Sequence, residues 1–148
     1  MNTNAENLWG DIPTSEDMRT PSTILREQAS KLTELTQGLL EGEVVFIPYD
    51  NISFAHKLYE RLDPNQQKFY GTLRIKVPSL ANYTYSLLEI GYSIQAYPVF
   101  VRNLAGEDSK QECANEEEFK VVLRGILSSD EVKRVIAILL SQIQAEVR

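Results

Sequence analysis

The 148-residue chain is 43% hydrophobic and 24% charged, with seven Gly, six Pro and one Cys. That balance is ordinary for a globular protein and excludes wholesale disorder, a collagen-like repeat and a disulfide framework. The net charge of -6 argues against general adhesion to nucleic acid or anionic lipid. It divides unevenly: -4 over residues 1–42, +1 over 43–104 and -3 over 105–148. No apolar run approaches the roughly 20 residues of a membrane helix, and no basic-then-apolar leader opens the chain. One unpaired thiol suits a reducing compartment. The expectation is a cytoplasmic protein.

Residues 1–19 read as a polar, acidic N-terminal arm, and 20–148 as one α+β domain. Leu8, Trp9 and Ile12 are the apolar exceptions in the arm. The favoured reading packs Trp9 against the body of its own domain. The alternative is an exposed anchor for a partner, a role in which Trp is enriched.

Thr20 and Pro21 open a helix as N-cap and first helical residue. Leu25, Ala29, Leu32, Leu35, Thr36 and Leu39 follow at three- and four-residue spacing, and Gly42 is expected to close the helix. The stripe is narrow and too short to stand alone in water. It must bury itself on the sheet or on a second copy of the same helix.

Val44–Ile47 forms a β-branched and aromatic run that Pro48 cuts off. Over residues 52–62 the spacing of Phe54, Leu58 and Leu62 fits a helix capped by Asn51 or a strand, with the balance towards a strand; Asp63-Pro64-Asn65 marks a turn. Residues 68–77 alternate: Phe69, Leu73, Ile75 and Val77 on one side, Tyr70, Thr72, Arg74 and Lys76 on the other. Gly71 is a candidate bulge or close backbone approach. Strands over 83–92 and 97–104 follow, then a turn at 105–108 and a short strand ending near Cys113. Short connections predict an antiparallel meander of four or five strands.

Two helices end the chain, each with a capping-box pattern: Asn115 with Glu118, and Ser128 with Glu131. Their stripes are Phe119, Val122, Leu123, Ile126, and then Val132, Val135, Ile136, Leu139, Leu140, Ile143, Val147. The predicted architecture is an N-terminal helix, the meander, and two C-terminal helices packed on one face of the sheet, the other face being wet.

The residues offer little to a catalyst. His56 is the only histidine and Cys113 the only cysteine; any nucleophile–base pair would have to use His56, and one of each is too few for a zinc site. The favoured readings are a histidine with no role and a cysteine acting as a small hydrophobe. Glu116, Glu117 and Glu118 fall in the first turn of a helix, where acids favour the dipole. No cofactor or metal is expected, and the balance is against an enzyme.

Three functions remain. The first is a non-enzymatic protein-interaction module, chaperone-, adaptor- or immunity-like, with self-association among its expected contacts; Trp9, Leu25, Leu32, Leu35 and Leu39 are the candidate partner-binding residues. Size and acidity are similar in outline to those of bacterial secretion chaperones and toxin-immunity proteins, a likeness of size and charge alone. The second is a small-ligand pocket lined by Tyr83, Tyr85, Tyr92 and Tyr97. The third is weak single-strand nucleic-acid binding through an exposed sheet face bearing Tyr70, Arg74 and Lys76.

Overall fold

A computed structural model describes residues 5–14, 18–46 and 68–146. The readings placed on Ile47, residues 52–62, His56, the turn at 63–65 and Val147 lie outside the described residues.

The first helix, α1 (Pro21–Leu35), starts where Thr20 caps it: Thr23 N–H donates to Thr20 Oγ1 at 3.3 Å. It stops before Gly42, which corrects the expected end. Two residues in the left-handed region, Gln37 (φ 54°) and Gly38 (φ 81°), turn the chain, and Gly38 N–H donates to Thr33 O at 2.9 Å. Thr36 Oγ1 accepts from Leu40 N–H at 3.1 Å and pins the exit. The terminating glycine is therefore Gly38. Gly42 sits in a strand and serves close packing instead. A Cβ built on it would stand 2.3 Å from Ala29 O and 2.6 Å from Ala29 Cα, so strand and helix touch backbone to backbone. Gly42 N–H also donates to Thr33 Oγ1 at 3.0 Å.

The sheet holds β1 (Glu41–Phe46), β2 (Lys68–Val77), β3 (Tyr83–Ser93), β4 (Val99–Asn103) and β5 (Ser109–Cys113), in that spatial order. Every neighbouring pair is antiparallel. The five-stranded meander between one helix and two is the architecture expected from the sequence. A short 3-10 turn (Pro78–Leu80) joins β2 to β3, ending in two left-handed residues, Ala81 and Asn82. The β2–β3 register shifts once, between Leu73 and Arg74, with Leu87 as the extra residue on β3. The irregularity is there and not at Gly71, where an added Cβ would meet only ordinary contacts from 3.6 Å. The bulge lets adjacent residues Leu87 and Leu88 both be buried, which simple alternation forbids.

Two helices follow: α2 (Glu116–Leu127) and α3 (Asp130–Glu146). Asn115 Oδ1 accepts from Glu118 N–H at 2.9 Å, and Glu118 Oε1 accepts from Ala114 N–H at 3.0 Å. The reciprocal cap is as expected, displaced by one residue on the return bond. At α3 the cap moves from Ser128 to Ser129: Val132 N–H donates to Ser129 Oγ at 3.3 Å, while Ser128 hydroxyl donates back to Arg124 O at 2.6 Å and belongs to the end of α2.

One core joins these elements. Ile24, Leu25 and Ala29 of α1 meet Leu73, Ile75, Leu88, Ile90, Val99 and Val101 of the sheet, with Phe119, Leu123 and Val132 from the C-terminal helices. Burying a Leu, Ile or Phe of this kind contributes about 1.5–3 kcal/mol. Ser22 and Tyr92 close the end of this layer with a buried 2.6 Å hydroxyl–hydroxyl bond.

Candidate protein-interaction site

The N-terminal segment has local order and no apolar cover. Asn7 Oδ1 accepts from Trp9 N–H at 2.9 Å, and Asn7 Nδ2 donates to Gly10 O at 3.2 Å. This is an Asx-type turn, and Gly10 at φ 69° supplies its left-handed step. The turn presents Leu8 and Trp9, each 83% exposed, with Ile12 and Met18 also exposed. The favoured reading of Trp9, packed on its own domain, is thereby corrected. The arm is so rich in Asn, Glu and Asp that it makes this turn with itself and leaves the indole in solvent.

The α1 stripe divides along its length. Leu25 is fully buried against the sheet and Leu32 partly so, whereas Leu35 (74% exposed) and Leu39 project into solvent. Ile24, absent from the expected stripe, is buried. Between α1 and the C-terminal helices runs a groove with two contrasting ends. The apolar end is a cavity of about 200 Å³ among Leu32, Leu35, Leu87, Leu127 and Ile136, with Lys31 at its edge. The polar end is lined by Arg19, Glu27, Lys120 and Arg124, and the two ends share Gln28 and Leu127.

Arg19 organises the polar end. Its guanidinium grips Glu27 with two bonds of 2.7 and 2.8 Å and lies 3.7 Å from Glu116, which also pairs with Lys120 at 2.8 Å. The hydrogen-bonded Arg19 holds Glu27 below its usual carboxylate pKa, and Lys120 does the same for Glu116. Arg124 makes no ion pair among the described residues.

The sheet face away from the helices differs from expectation. Tyr70 is 4% exposed, and Phe100, beside it across Gly91, is 6% exposed; both lie outside the helix-side core. The centre of this face is therefore dry, and Tyr70 presents no ring for stacking. Arg74 forms an ion pair with Glu43 on β1. Only Lys76, partly exposed, is left of the expected trio without an ion pair among the described residues. The four tyrosines do not gather round one cavity. Tyr83 lies at one end of β3 and Tyr92 near the other, about 30 Å apart by strand rise. Tyr92 is bonded to Ser22 and stacks at 5.5 Å on Phe69.

Glu89 is the most perturbed group on that face. It stands in register between Thr72 and Arg102, and burial pushes its pKa up to about 7 against the pull of Arg102. Arg102 itself is clasped by Asp108 through bonds of 2.8 and 3.0 Å. The signal was present: a lone carboxylate between Leu88 and Ile90 in an apolar strand.

Burial raises the Cys113 thiol to about 11, so it is a protonated core group at neutral pH and no nucleophile. Among the described residues there is no cluster of three metal-ligating side chains, and no helix is long and apolar enough to cross a membrane. Comparison with protein-family models, curated proteins and solved structures finds no match. The arrangement of side chains thus carries the functional argument by itself.

Proposed function

We propose that this protein is a non-enzymatic protein-interaction module that engages its partner through the N-terminal turn bearing Leu8 and Trp9. The observation that carries this reading is an indole 83% exposed on a turn held by two hydrogen bonds. Exposed Trp on a pre-ordered element loses little entropy on docking and is the residue type most often found at interface hot spots. Ile12 and Met18 extend the apolar surface, and Leu35 at the end of α1 with Leu39 in the turn after it adds a second patch. The unreactive Cys113 and the scattered tyrosines lend no support to chemistry or to a tyrosine-lined ligand pocket.

The test is a tagged pull-down from source lysate, with and without nuclease, run in parallel on the parent and on Trp9→Ala. A stoichiometric protein captured by the parent and lost from the variant supports the reading. Identical captures overturn the role of Trp9, and captures that vanish with nuclease transfer the interaction to nucleic acid.

A further inference from the structure

The groove beside α1 and the N-terminal turn are complementary in charge, chemistry and size, yet they stand apart in the single chain. Residues 5–14 carry two acids, Glu6 and Asp11, and no base, with the apolar pair Leu8–Trp9 between them. The groove is lined by four cations: Arg19, Lys31 and Lys120 pair with Glu27, Glu34 and Glu116, while Arg124 makes no ion pair among the described residues. Four cations against three carboxylates leave a surplus of one positive charge there, on a chain of net charge -6. Arg124 is the cation left to meet an acidic segment.

Size agrees with charge. A dry cavity of about 150 Å³ lined by aliphatic and aromatic side chains accepts a benzene-sized ring. The apolar end here measures about 200 Å³ and is walled by leucines, with Leu35 at its mouth. One aromatic side chain fills it. Basic and apolar ends adjoin through Gln28 and Leu127, as acid and apolar residues adjoin in the arm.

We infer that the groove between α1 and the α2–α3 turn receives the Leu8–Trp9 turn of a second copy of this chain, with the acids of the arm facing Arg124. The inference rests on the proposed interaction role of Trp9 and names its partner as another molecule of the same protein. Reciprocal exchange of two arms makes a closed, two-fold pair, each arm covering the exposed Leu35 of the other's α1. The pairing is salt-sensitive, because its steering charges lie at the surface.

Trp9 is the only tryptophan, so intrinsic fluorescence reads its environment directly. The full-length protein is diluted through a concentration series, recording emission wavelength and mass by light scattering. The expected result is a blue shift that grows with concentration together with a doubling of mass. Both should need at least tenfold more protein in Leu35→Glu, whose side chain is exposed so that the fold is kept, and in Arg124→Glu. Added salt should shift the transition in the same direction. Blue emission at every concentration with single-chain mass means that the arm fills its own groove, and overturns the inference. Doubled mass with red emission, or with no response to Leu35→Glu, places the dimer contact elsewhere and also overturns it. Red emission and single-chain mass throughout overturn it as well. In that case a foreign partner lost with Trp9→Ala in the pull-down keeps the interaction reading intact, and its absence removes both.

Discussion

Replacing Gly42 by Ala tests the closest contact in the fold. The new methyl would lie 2.3 Å from Ala29 O and 2.6 Å from Ala29 Cα, both backbone atoms that no rotamer change can move. Carbon and oxygen need about 3.3 Å, so α1 must retreat by about 1 Å from β1. A gap of that size forfeits about a quarter to a half of each dispersion contact it opens. Ile24 and Leu25 are the large buried side chains of α1, together worth about 3–6 kcal/mol, so their loss is about 1–3 kcal/mol. Stretching the Thr33–Gly42 bond of 3.0 Å adds about 1 kcal/mol. The lower entropy of the unfolded alanine chain offsets about 0.5–1 kcal/mol. The expected net loss is about 1–3.5 kcal/mol, read by urea unfolding with circular dichroism as a midpoint lowered at unchanged slope. Gly125→Ala is the matched control: it lies within α2 with nothing within 4 Å of its Cβ position, and should gain about 0.5–1 kcal/mol. A Gly42→Ala protein as stable as the parent, or glycine variants shifted alike, would refute the backbone-contact argument.

Glu89 gives a pH prediction. Its pKa is about 7 in the fold, above the ordinary 4.5, so the folded state keeps a proton that the unfolded chain has lost. Its contribution to stability is fully present below about pH 4.5 and is lost as pH rises through 7. The unscreened shift corresponds to about 3 kcal/mol, which partial exposure reduces to about 1–2 kcal/mol. Glu89→Gln should therefore gain that much on the parent between pH 5 and pH 8 in denaturation series; parallel pH curves would contradict it. At α3, Ser129→Ala should cost about 1 kcal/mol and Ser128→Ala less, measured by thermal melts; the reverse order would return the cap to Ser128. Tyr92→Phe leaves the buried Ser22 hydroxyl without its 2.6 Å partner and should cost about 1–2 kcal/mol; an unchanged unfolding midpoint would mean that this bond adds nothing net. Cys113 should label with a thiol reagent only as fast as the chain unfolds, and rapid labelling of the folded protein would place it outside the core.

Architecture was legible wherever local chemistry decides. The bounds of β2, the Thr20 and Asn115 caps and the stripes of the last two helices follow from alternation, capping geometry and helical period, which act over a few residues. Strand order from β2 to β5 was equally local, because short connections leave antiparallel neighbours as the simplest pairing. The end of α1 was misplaced because Gly38 and Gly42 look alike in sequence. Only the seat of Ala29 over β1 shows which glycine turns the chain and which makes room for a helix.

The candidate site was legible only in its parts. Trp9 and the exposed leucines were visible as residue types, but exposure is a property of what else packs nearby. Arg19, Lys120 and Arg124, separated by about a hundred residues in the chain, line one polar groove only when α1 and α2 lie side by side on the sheet. The same holds for Tyr70 and Glu89. Alternation assigned Tyr70 to a face and could not say that the face is dry. It gave Glu89 a register and could not give it a pKa near neutrality. Sequence alone therefore determined the elements, since their signals are short-range. Tertiary structure decided which glycine is a contact, which aromatic is free and which carboxylate keeps its proton, because burial and charge proximity are sums over residues distant in the chain.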